Sequence, residues 1–249
     1  MPRAPWWSTY FDHRYLLEYD PLFSLERDRQ DVARLIEVLG LPLGARVLDV
    51  ACGQGRHAHG LAEAGYDVDG LDYSAKLLKR ARQRGVGRRL RYTRGDMRKM
   101  PARWRGRFDG VVNLYTSFGF FDEAGDDERA VAEVSRVLAR GGVFVWHGGS
   151  RDGVMARFLQ RDEWESRDWT SVEQERDFDP LTGFLTIVTT LRRGARKTRR
   201  EHRIRLYTAT RIAELATAHD LDVEQSFDGF SDDVLTRRSG EMMLVMRKR

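Results

Sequence analysis

Short apolar stretches alternate with amphipathic stretches along residues 44–148, and this alternation predicts the secondary structure of the middle of the chain. Five stretches have the length and composition of buried strands, at 46–50, 67–71, 90–94, 108–113 and 142–147. Three stretches between them have helical spacing, near 56–64, 74–84 and 127–139. Strands joined by helical crossovers run parallel, so the pattern predicts an α/β fold with a doubly wound sheet.

The two flanks of this region have different patterns. Residues 1–43 are rich in aromatic side chains and contain one helical pattern at 25–39, which Gly40 and Pro42 end. Beyond residue 150, two strands are predicted around a turn, a basic connection follows, and a third strand, a helix and two further strands come after it. Their ranges are 172–178, 184–191, 192–200, 203–207, 208–219, 221–227 and 241–247. The chain therefore divides into 1–43, 44–150 with 208–249, and an antiparallel β insertion at 151–207 before the last helix.

Composition narrows the function classes. The 249 residues carry a formal charge of +5, but the basic residues are almost all arginine and acids occur along the whole chain. This distribution favours a mixed, solvated surface over a nucleic-acid-binding face. A single cysteine excludes a disulfide framework and a cysteine-built zinc site, and the six histidines are dispersed, so no metal is expected. With neither a long apolar run nor a signal pattern, a cytoplasmic protein is expected.

The first candidate site follows the first strand. Asp49 is followed by a turn with Gly53 and Gly55, which allows a ligand to approach the backbone closely. The turn lies at the carboxyl edge of the predicted sheet, where such folds bind ligands. Its glycine spacing also matches a dinucleotide fingerprint. However, an acid here would repel a diphosphate, whereas it would suit a ligand with an ammonium group.

Three more candidate sites follow at later strand ends. Asp72 ends the second strand, where an acid can accept both hydroxyls of a ribose, and Tyr73 beside it could cover a base. Asp96 follows the third strand and could accept an adenine amino group. Small, polar and aromatic residues follow the fourth strand at 113–121, where a substrate would meet a cofactor.

In this order and spacing, the four sites resemble the class I S-adenosylmethionine-dependent methyltransferases, and a glycine turn at 138–142 extends the match. The resemblance covers residues 44–148 and implies a Rossmann-like fold. That fold has a seven-stranded, mostly parallel sheet whose final hairpin would be 221–227 and 241–247. The stretches 95–98 and 117–119, with the insertion, also resemble the small-molecule branch that includes the aminosugar N,N-dimethyltransferases. Ala51 departs from the glycine that many members carry, and one added methyl should be tolerated.

The resemblance implies S-adenosylmethionine as the cofactor and a role for each matching residue. Gly53 and Gly55 would let its methionine part lie against the backbone, while Asp49 would orient that part. Asp72 would hold the ribose. The complete set of cofactor-binding residues implied is Tyr15, Tyr19, Asp49, Ala51, Gly53, Gly55, Asp72, Tyr73, Asp96, Met97, Asn113 and Leu114. Segment 1–43, with Tyr15 and Tyr19, would close over the cofactor.

The acceptor side is less specified. His147, at the end of the fifth strand, is the preferred candidate for a general base because imidazole titrates near neutrality, and Tyr115 is the second. Candidate substrate residues are Ser117, Phe118, His147, Trp169 and His202. His57 is interpreted as structural. The insertion leaves from the carboxyl edge of the sheet, so we expect it to set substrate choice; a dimer interface is the alternative, and the chain could be a monomer or a homodimer.

Three function classes remain open. The leading one is methyl transfer to a nitrogen or oxygen atom of a small molecule. A nucleic-acid or protein methyltransferase is the second, although Asn113 is not followed by the two prolines common in amino-directed base methylation. A nicotinamide-dependent oxidoreductase, or a non-catalytic nucleotide-binding module, is the third and depends on the glycine pattern alone. No membrane partner is expected.

Overall fold

The computed structural model describes residues 5–19, 23–166, 168 and 170–249. Its helices are α1 Trp7–Tyr10, α2 His13–Glu18, α3 Leu25–Leu39, α4 Arg56–Glu63, α5 Ala75–Arg84, α6 Ala124–Val137, α7 Arg151–Ala156 and α8 Ala209–Thr217. Its strands are β1 Arg46–Val50, β2 Asp67–Asp72, β3 Leu90–Arg94, β4 Phe108–Asn113, β5 Leu138–Gly149, β6 Arg161–Glu165, β7 Ser171–Phe178, β8 Phe184–Arg193, β9 Arg196–Arg205, β10 Leu221–Phe227 and β11 Glu241–Lys248.

A seven-stranded sheet of order β10-β11-β5-β4-β1-β2-β3 forms the centre of the molecule. Strands β1 to β5 pair in parallel, whereas β11 runs antiparallel to both β5 and β10. The prediction of a doubly wound, mostly parallel sheet with a reversed last strand is therefore confirmed. This order brings the carboxyl ends of β1, β2 and β4 together at one edge.

Helices cover both faces of this sheet because its strands are apolar on both sides. On one face α3 and α4 contribute Val32, Leu35 and Leu61 to the core. On the other, α6 and α8 contribute Val134 and Leu215. These contacts make the central sheet a rigid support for the loops at its edge.

Local signals in the sequence fix the ends of α3. The Ser24 hydroxyl accepts a hydrogen bond from the Arg27 N–H at the start of the helix, and Gly40 ends it at a φ of 57°. The observed helix, Leu25–Leu39, has the predicted bounds. The helix predicted at 127–139 instead ends at Val137, since β5 begins at Leu138.

The insertion is a four-stranded antiparallel sheet of order β6-β7-β8-β9. Two parts of its prediction were wrong. The strand β6 was not predicted, and the basic connection 192–200 consists largely of the paired ends of β8 and β9. Residues 198–204 of β9 alternate between exposed and at least partly buried positions, as strand side chains do, so Arg199 and Arg203 are exposed and Arg200 is partly buried. The third strand is therefore Arg196–Arg205 and not 203–207.

Candidate active site

A cavity opens at the carboxyl ends of β1, β2 and β4 and contains about 1040 Å³ of empty space, including the part open to solvent. Many of the sequence-predicted residues line it, namely Tyr15, Asp49, Ala51, Gly53, Asp72, Tyr73, Asp96, Met97, Leu114, Tyr115 and Ser117. They come from the N-terminal segment and from four strand ends. The parallel sheet therefore brings together residues that are distant in sequence.

The turn after β1 depends on left-handed backbone. Ala51, Gly53 and Gly55 have φ values of 59°, 55° and 75°. Gly55 is the N-cap of α4 and does not line the cavity. A Cβ at this position would overlap the Tyr92 hydroxyl and lie 3.0 Å from the Ala81 Cβ. Ala51 adopts a conformation that favours glycine, so its methyl carries a backbone cost as well as occupying space.

Two buried carboxylates face the cavity from β1 and β2. Asp49 is 2% exposed, and its Oδ2 has no hydrogen-bond partner among the described residues. Burial, together with the charge of Asp72, raises the pKa of Asp49 to about 7. Asp72 accepts backbone hydrogen bonds from Gly53 (2.9 Å) and Ser74 (2.7 Å), but burial still raises its pKa to about 6. The pair makes this part of the cavity suitable for a cationic group.

Asp96 and Met97 line another part of the cavity, after β3. Arg98 donates to both carboxylate oxygens of Asp96, from Nε at 3.1 Å and from Nη2 at 2.6 Å. Burial raises the pKa of Asp96, but the bonds from Arg98 outweigh it and hold that pKa below its usual value. Asp96 is therefore a fixed, ionised acceptor at the cavity wall.

Aromatic side chains from the N-terminal segment cover the cavity. Trp7, Phe11 and Tyr15 line it, and Trp7 packs edge-on against Tyr73 with ring centroids 4.9 Å apart. Burial raises the pKa of the Tyr15 hydroxyl to about 12, so this hydroxyl stays neutral. Tyr19 does not line the cavity.

Glu18 anchors this segment to the insertion sheet. Its carboxylate is 0% exposed. It accepts hydrogen bonds from Thr189 Oγ1 at 2.6 Å and Gln174 Nε2 at 3.0 Å, and Tyr10 donates to it from α1 at 3.1 Å. Arg200 of β9 lies 3.4 Å from the same carboxylate. The insertion thereby supports the cover of the cavity.

Tyr115 and His57 line the cavity on the α3 side, and both bond to Asp31 of α3. Tyr115 and Thr116 both have left-handed backbone, with φ values of 55° and 56°. This turn directs the Tyr115 hydroxyl to Asp31 Oδ2, 2.5 Å away, while Arg27 Nε donates to the same hydroxyl at 3.0 Å. His57 Nε2 lies 3.1 Å from Asp31 Oδ2. Burial and the bond to Asp31 both raise the pKa of Tyr115, which argues against its predicted role as a base.

The two histidines predicted at the site, His147 and His202, do not line the cavity. His147 is 1% exposed; its Nδ1 accepts the backbone N–H of Tyr115 at 3.1 Å, and its Nε2 lies 3.3 Å from Glu241. His202 packs 4.7 Å from the Tyr10 ring, and burial lowers its pKa to about 3. Both side chains are engaged in the support of the site.

Two other predicted residues, Phe118 and Asn113, also do not line the cavity. Phe118 is in the core, where its ring packs against Trp146 and Tyr207. The Asn113 amide donates to the Val50 carbonyl at 3.0 Å and so ties β4 to β1. Trp169, the remaining substrate candidate, lies outside the described residues.

Sequence reasoning did not name as site residues several that line the cavity, including Leu16, Phe23, Gln54 and Arg56, and it interpreted His57 as structural. A signal existed for Arg56 and His57, because they begin the helix directly after the glycine turn. A second signal existed in α3, where Asp28 and Asp31 share the face of the apolar Val32. Acids on an apolar face are buried only when they have partners, and here the partners are Arg56 and His57.

The described residues lack two features, a metal-binding cluster and a membrane-spanning helix. They contain no cluster of three or more His, Cys, Asp or Glu side chains arranged to hold a metal ion. Nor do they include a helix with the length and apolar character needed to cross a membrane.

The central part of the chain is similar to known proteins. Residues 47–142 match the model of a methyltransferase-domain family. A glycine/sarcosine N-methyltransferase from Halorhodospira halochloris is 34% identical over 112 residues, which is 44% of this chain and 42% of that protein. A dTDP-3-amino-3,4,6-trideoxy-alpha-D-glucopyranose N,N-dimethyltransferase from Streptomyces venezuelae is 33% identical over 132 residues, 51% of this chain and 54% of that protein. The chain thus spans about half the length of these relatives.

A solved structure extends the likeness to the whole fold. CalS10 from Micromonospora echinaspora, an amino pentose methyltransferase solved with S-adenosylmethionine bound, superposes with a TM-score of 0.73 at 22% identity. The match covers 96% of this chain and 98% of that one. The insertion and the N-terminal segment are therefore included in the shared architecture.

Proposed function

We propose, from the premise that this chain carries a class I S-adenosylmethionine-dependent methyltransferase domain, that it transfers a methyl group to an amine nitrogen of a small molecule. The substrate class that we favour is an amino sugar. The two relatives are an N-methyltransferase and an N,N-dimethyltransferase, and CalS10 is an amino pentose methyltransferase. Extending that chemistry to this chain is the proposal.

The unpartnered oxygen of Asp49 is the observation that carries the cofactor assignment. A carboxylate oxygen buried without a partner is unfavourable unless a ligand satisfies it, and the ammonium group of S-adenosylmethionine would do so. In this proposal Asp72 holds the ribose, and Asp96 with Met97 binds adenine. The aromatic cover then excludes water. The bound cofactor supplies an activated methyl group, so the protein's own tasks are proximity and alignment.

A nitrogen acceptor fits the walls of the cavity. A neutral amine attacks through its lone pair and loses a proton only after the C–N bond has formed, whereas a hydroxyl acceptor must lose its proton as the bond forms and so gains more from a strong base. The Tyr15 and Tyr115 hydroxyls, with their raised pKa values, stay protonated near neutral pH and are poor bases. These two tyrosines therefore suit an amine that is partly neutral at the working pH, because such an acceptor does not need them to act as strong bases.

Two measurements test the proposal. Calorimetry should detect binding of S-adenosylmethionine and not of NAD, and Asp72→Ala should weaken it by about 1.5–3 kcal/mol, the contribution of hydrogen bonds to a charged group. Methyl-labelled cofactor should then be offered with amino sugars, their hydroxyl analogues, RNA and DNA. Labelling of the amines supports the proposal. Labelling confined to hydroxyl compounds or nucleic acids contradicts it, and binding of NAD alone removes its premise.

A further inference from the structure

Four side chains form a connected polar cluster, here called the Asp31 cluster: Arg27, Asp31, His57 and Tyr115. Of these, His57 and Tyr115 line the cavity. Asp31 Oδ2 is its centre, because both the Tyr115 hydroxyl and His57 Nε2 bond to this atom, at 2.5 Å and 3.1 Å. The rings of His57 and Tyr115 stack with centroids 5.4 Å apart and an interplanar angle of 20°. These contacts hold the His57 ring in one orientation.

The bond to Asp31 determines which nitrogen of His57 is basic. A carboxylate is only an acceptor when ionised, so Nε2 must carry the hydrogen that it donates. Burial raises the pKa of Asp31, but the bonds from His57 and Tyr115 outweigh this and hold it below its usual value, so Asp31 is ionised near neutral pH. The neutral ring therefore has its lone pair on Nδ1, the nitrogen left for a ligand.

Other titratable side chains that line the cavity are engaged or unsuited to accept a proton. The Tyr115 hydroxyl is used as a donor to Asp31, and Asp96 is held by Arg98. Burial raises the pKa of the Cys52 thiol well above its usual value, so the reactive thiolate does not form. Asp49 and Asp72 are assigned to the cofactor. Among the described residues of the cavity lining, His57 is the histidine.

We propose that His57 accepts the proton released by the substrate amine and that Asp31 is its positioning residue; this rests on the proposed function. An N–H bond of the substrate ammonium breaks, its proton moves to His57 Nδ1, and the electron pair stays on nitrogen. That pair forms the new C–N bond as the C–S bond breaks, with the C–S pair going to sulfur. His57 then returns the proton to solvent.

The charges around His57 favour its neutral form. Burial lowers its pKa below the ordinary 6.5, and the neighbouring Arg56 lowers it further, whereas Asp31 and Asp28 raise it. The charged or titratable groups that surround the ring or its two bonded partners are Arg27, Asp28, Asp31, Arg56, Tyr115, His147 and Glu241. An acceptor that is neutral at physiological pH can take a proton without first losing one.

The first test uses His57→Gln with His59→Gln as its control. The glutamine Nε2 can still donate to Asp31 but has no basic nitrogen. We expect its kcat to fall by about 100-fold or more near neutral pH, while affinity for S-adenosylmethionine stays within about twofold. His59 lies on the same helix, beside Glu63 and outside the cavity lining, so its variant should keep wild-type kcat.

The second test uses Asp31→Asn and does not depend on whether the first variant folds. Losing the negative partner lowers the pKa of His57, so the acidic limb of the pH profile of kcat should move to lower pH. Nitrogen NMR of ring-labelled wild-type protein without cofactor adds a readout independent of turnover. It should report a neutral ring at pH 7.5 with hydrogen on Nε2 and a lone pair on Nδ1.

The outcomes separate the two proposals. An active wild type with unchanged kcat in His57→Gln, an acidic limb that does not move in Asp31→Asn, or hydrogen on Nδ1 overturns the inference alone. A wild type that binds S-adenosylmethionine but methylates no amine overturns the proposed function and the inference together.

Discussion

Asp49 and Asp72 place two carboxyl groups in a buried space before any ligand binds. Their pKa values, about 7 and about 6, lie above the ordinary 3.8 of an unfolded aspartate. The stability that this provides is fully present below about pH 4 and is lost as the pH rises through 6 and 7. A cationic ligand binds the ionised pair, so its affinity should rise with pH over the same range in which the stability falls.

We therefore expect opposite pH trends for stability and for cofactor binding. Between pH 5 and pH 8 the ligand-free protein should lose stability, and Asp49→Asn should recover on the order of 1–3 kcal/mol at pH 8, because each pKa unit corresponds to about 1.4 kcal/mol. Affinity for S-adenosylmethionine should fall as the pH drops below 7. Urea unfolding and calorimetry measure the two trends. Asp232→Asn, with its exposed side chain, is the control; equal shifts in both variants would argue against a role for the buried pair.

Gly55 carries a stability prediction of its own. Gly55→Ala places a Cβ against the Tyr92 hydroxyl at a φ of 75°, so we expect a loss of about 2 kcal/mol or more from backbone strain and overlap. Gly87→Ala is the matched control, since a Cβ there meets nothing within 4 Å and its φ lies outside the left-handed range. Thermal unfolding of the two variants measures the difference. Similar midpoints would show that the turn can relax around an alanine.

The positions of site residues could be predicted from the sequence where the order of the parallel strands alone determines them. Asp49, Asp72 and Asp96 end or follow parallel strands, so the topology places them at one edge whatever the details of packing. His147 also lies near that edge, but its side chain turns to Glu241 and the Tyr115 backbone. The direction in which a side chain points at a strand end depends on its contacts with distant loops, and a single sequence does not specify those contacts.

At the scale of elements, α3 shows which features of a helix the local sequence determines and which it does not. Its bounds follow from Ser24, Gly40 and helical spacing, all of which are local. The partners of its buried acids are not local, since Asp28 and Asp31 meet residues that follow in sequence only after β1. The prediction for the hairpin of β8 and β9 was wrong for a related reason. The many arginines of this stretch favour a solvent-exposed connection. In the folded chain, however, Arg200 pairs with Asp12 and Glu18, which are distant from it in sequence.

The anchor at Glu18 gives a prediction for the N-terminal segment. Removing one partner of a buried charge network leaves other groups unsatisfied, so Glu18→Ala should detach α1 and α2 from the insertion at a cost of roughly 3–5 kcal/mol to that contact. The central sheet should stay folded because its core residues are elsewhere. Hydrogen exchange should rise at 7–18 and stay unchanged in β1 and β4.

Glu63→Gln provides the comparison for this experiment, because its carboxylate is exposed on α4. It should leave exchange at 7–18 as in the wild type. If Glu18→Ala also leaves that exchange unchanged, the segment is held by its aromatic contacts and the carboxylate is dispensable.

At the scale of the whole molecule, the insertion has a different place from the one expected. None of its described residues lines the cavity; they contact the N-terminal segment, which does. Arg205 also donates its backbone N–H to the Gly119 carbonyl, at 2.8 Å, in the loop that follows β4. Control of substrate choice by the insertion therefore stays a prediction, and the route available to it is support of the cover.

This arrangement predicts how far the effect of the cofactor should extend. A ligand at one hundred times its Kd stabilises the folded state by about 2.7 kcal/mol, which for a chain of this size raises the midpoint by roughly 5–10 °C. Because the cavity is lined from both the sheet edge and the N-terminal segment, S-adenosylmethionine should slow hydrogen exchange in the turn after β1 and also at 7–16. Slower exchange should reach β8 through Glu18 and Thr189, and should be absent from β10 at the far edge of the sheet.

NAD at the same concentration is the control and should change neither the midpoint nor the exchange. Slower exchange confined to the central sheet would mean that the N-terminal segment does not close on the cofactor, and the cavity would then have to be assigned to the sheet edge alone.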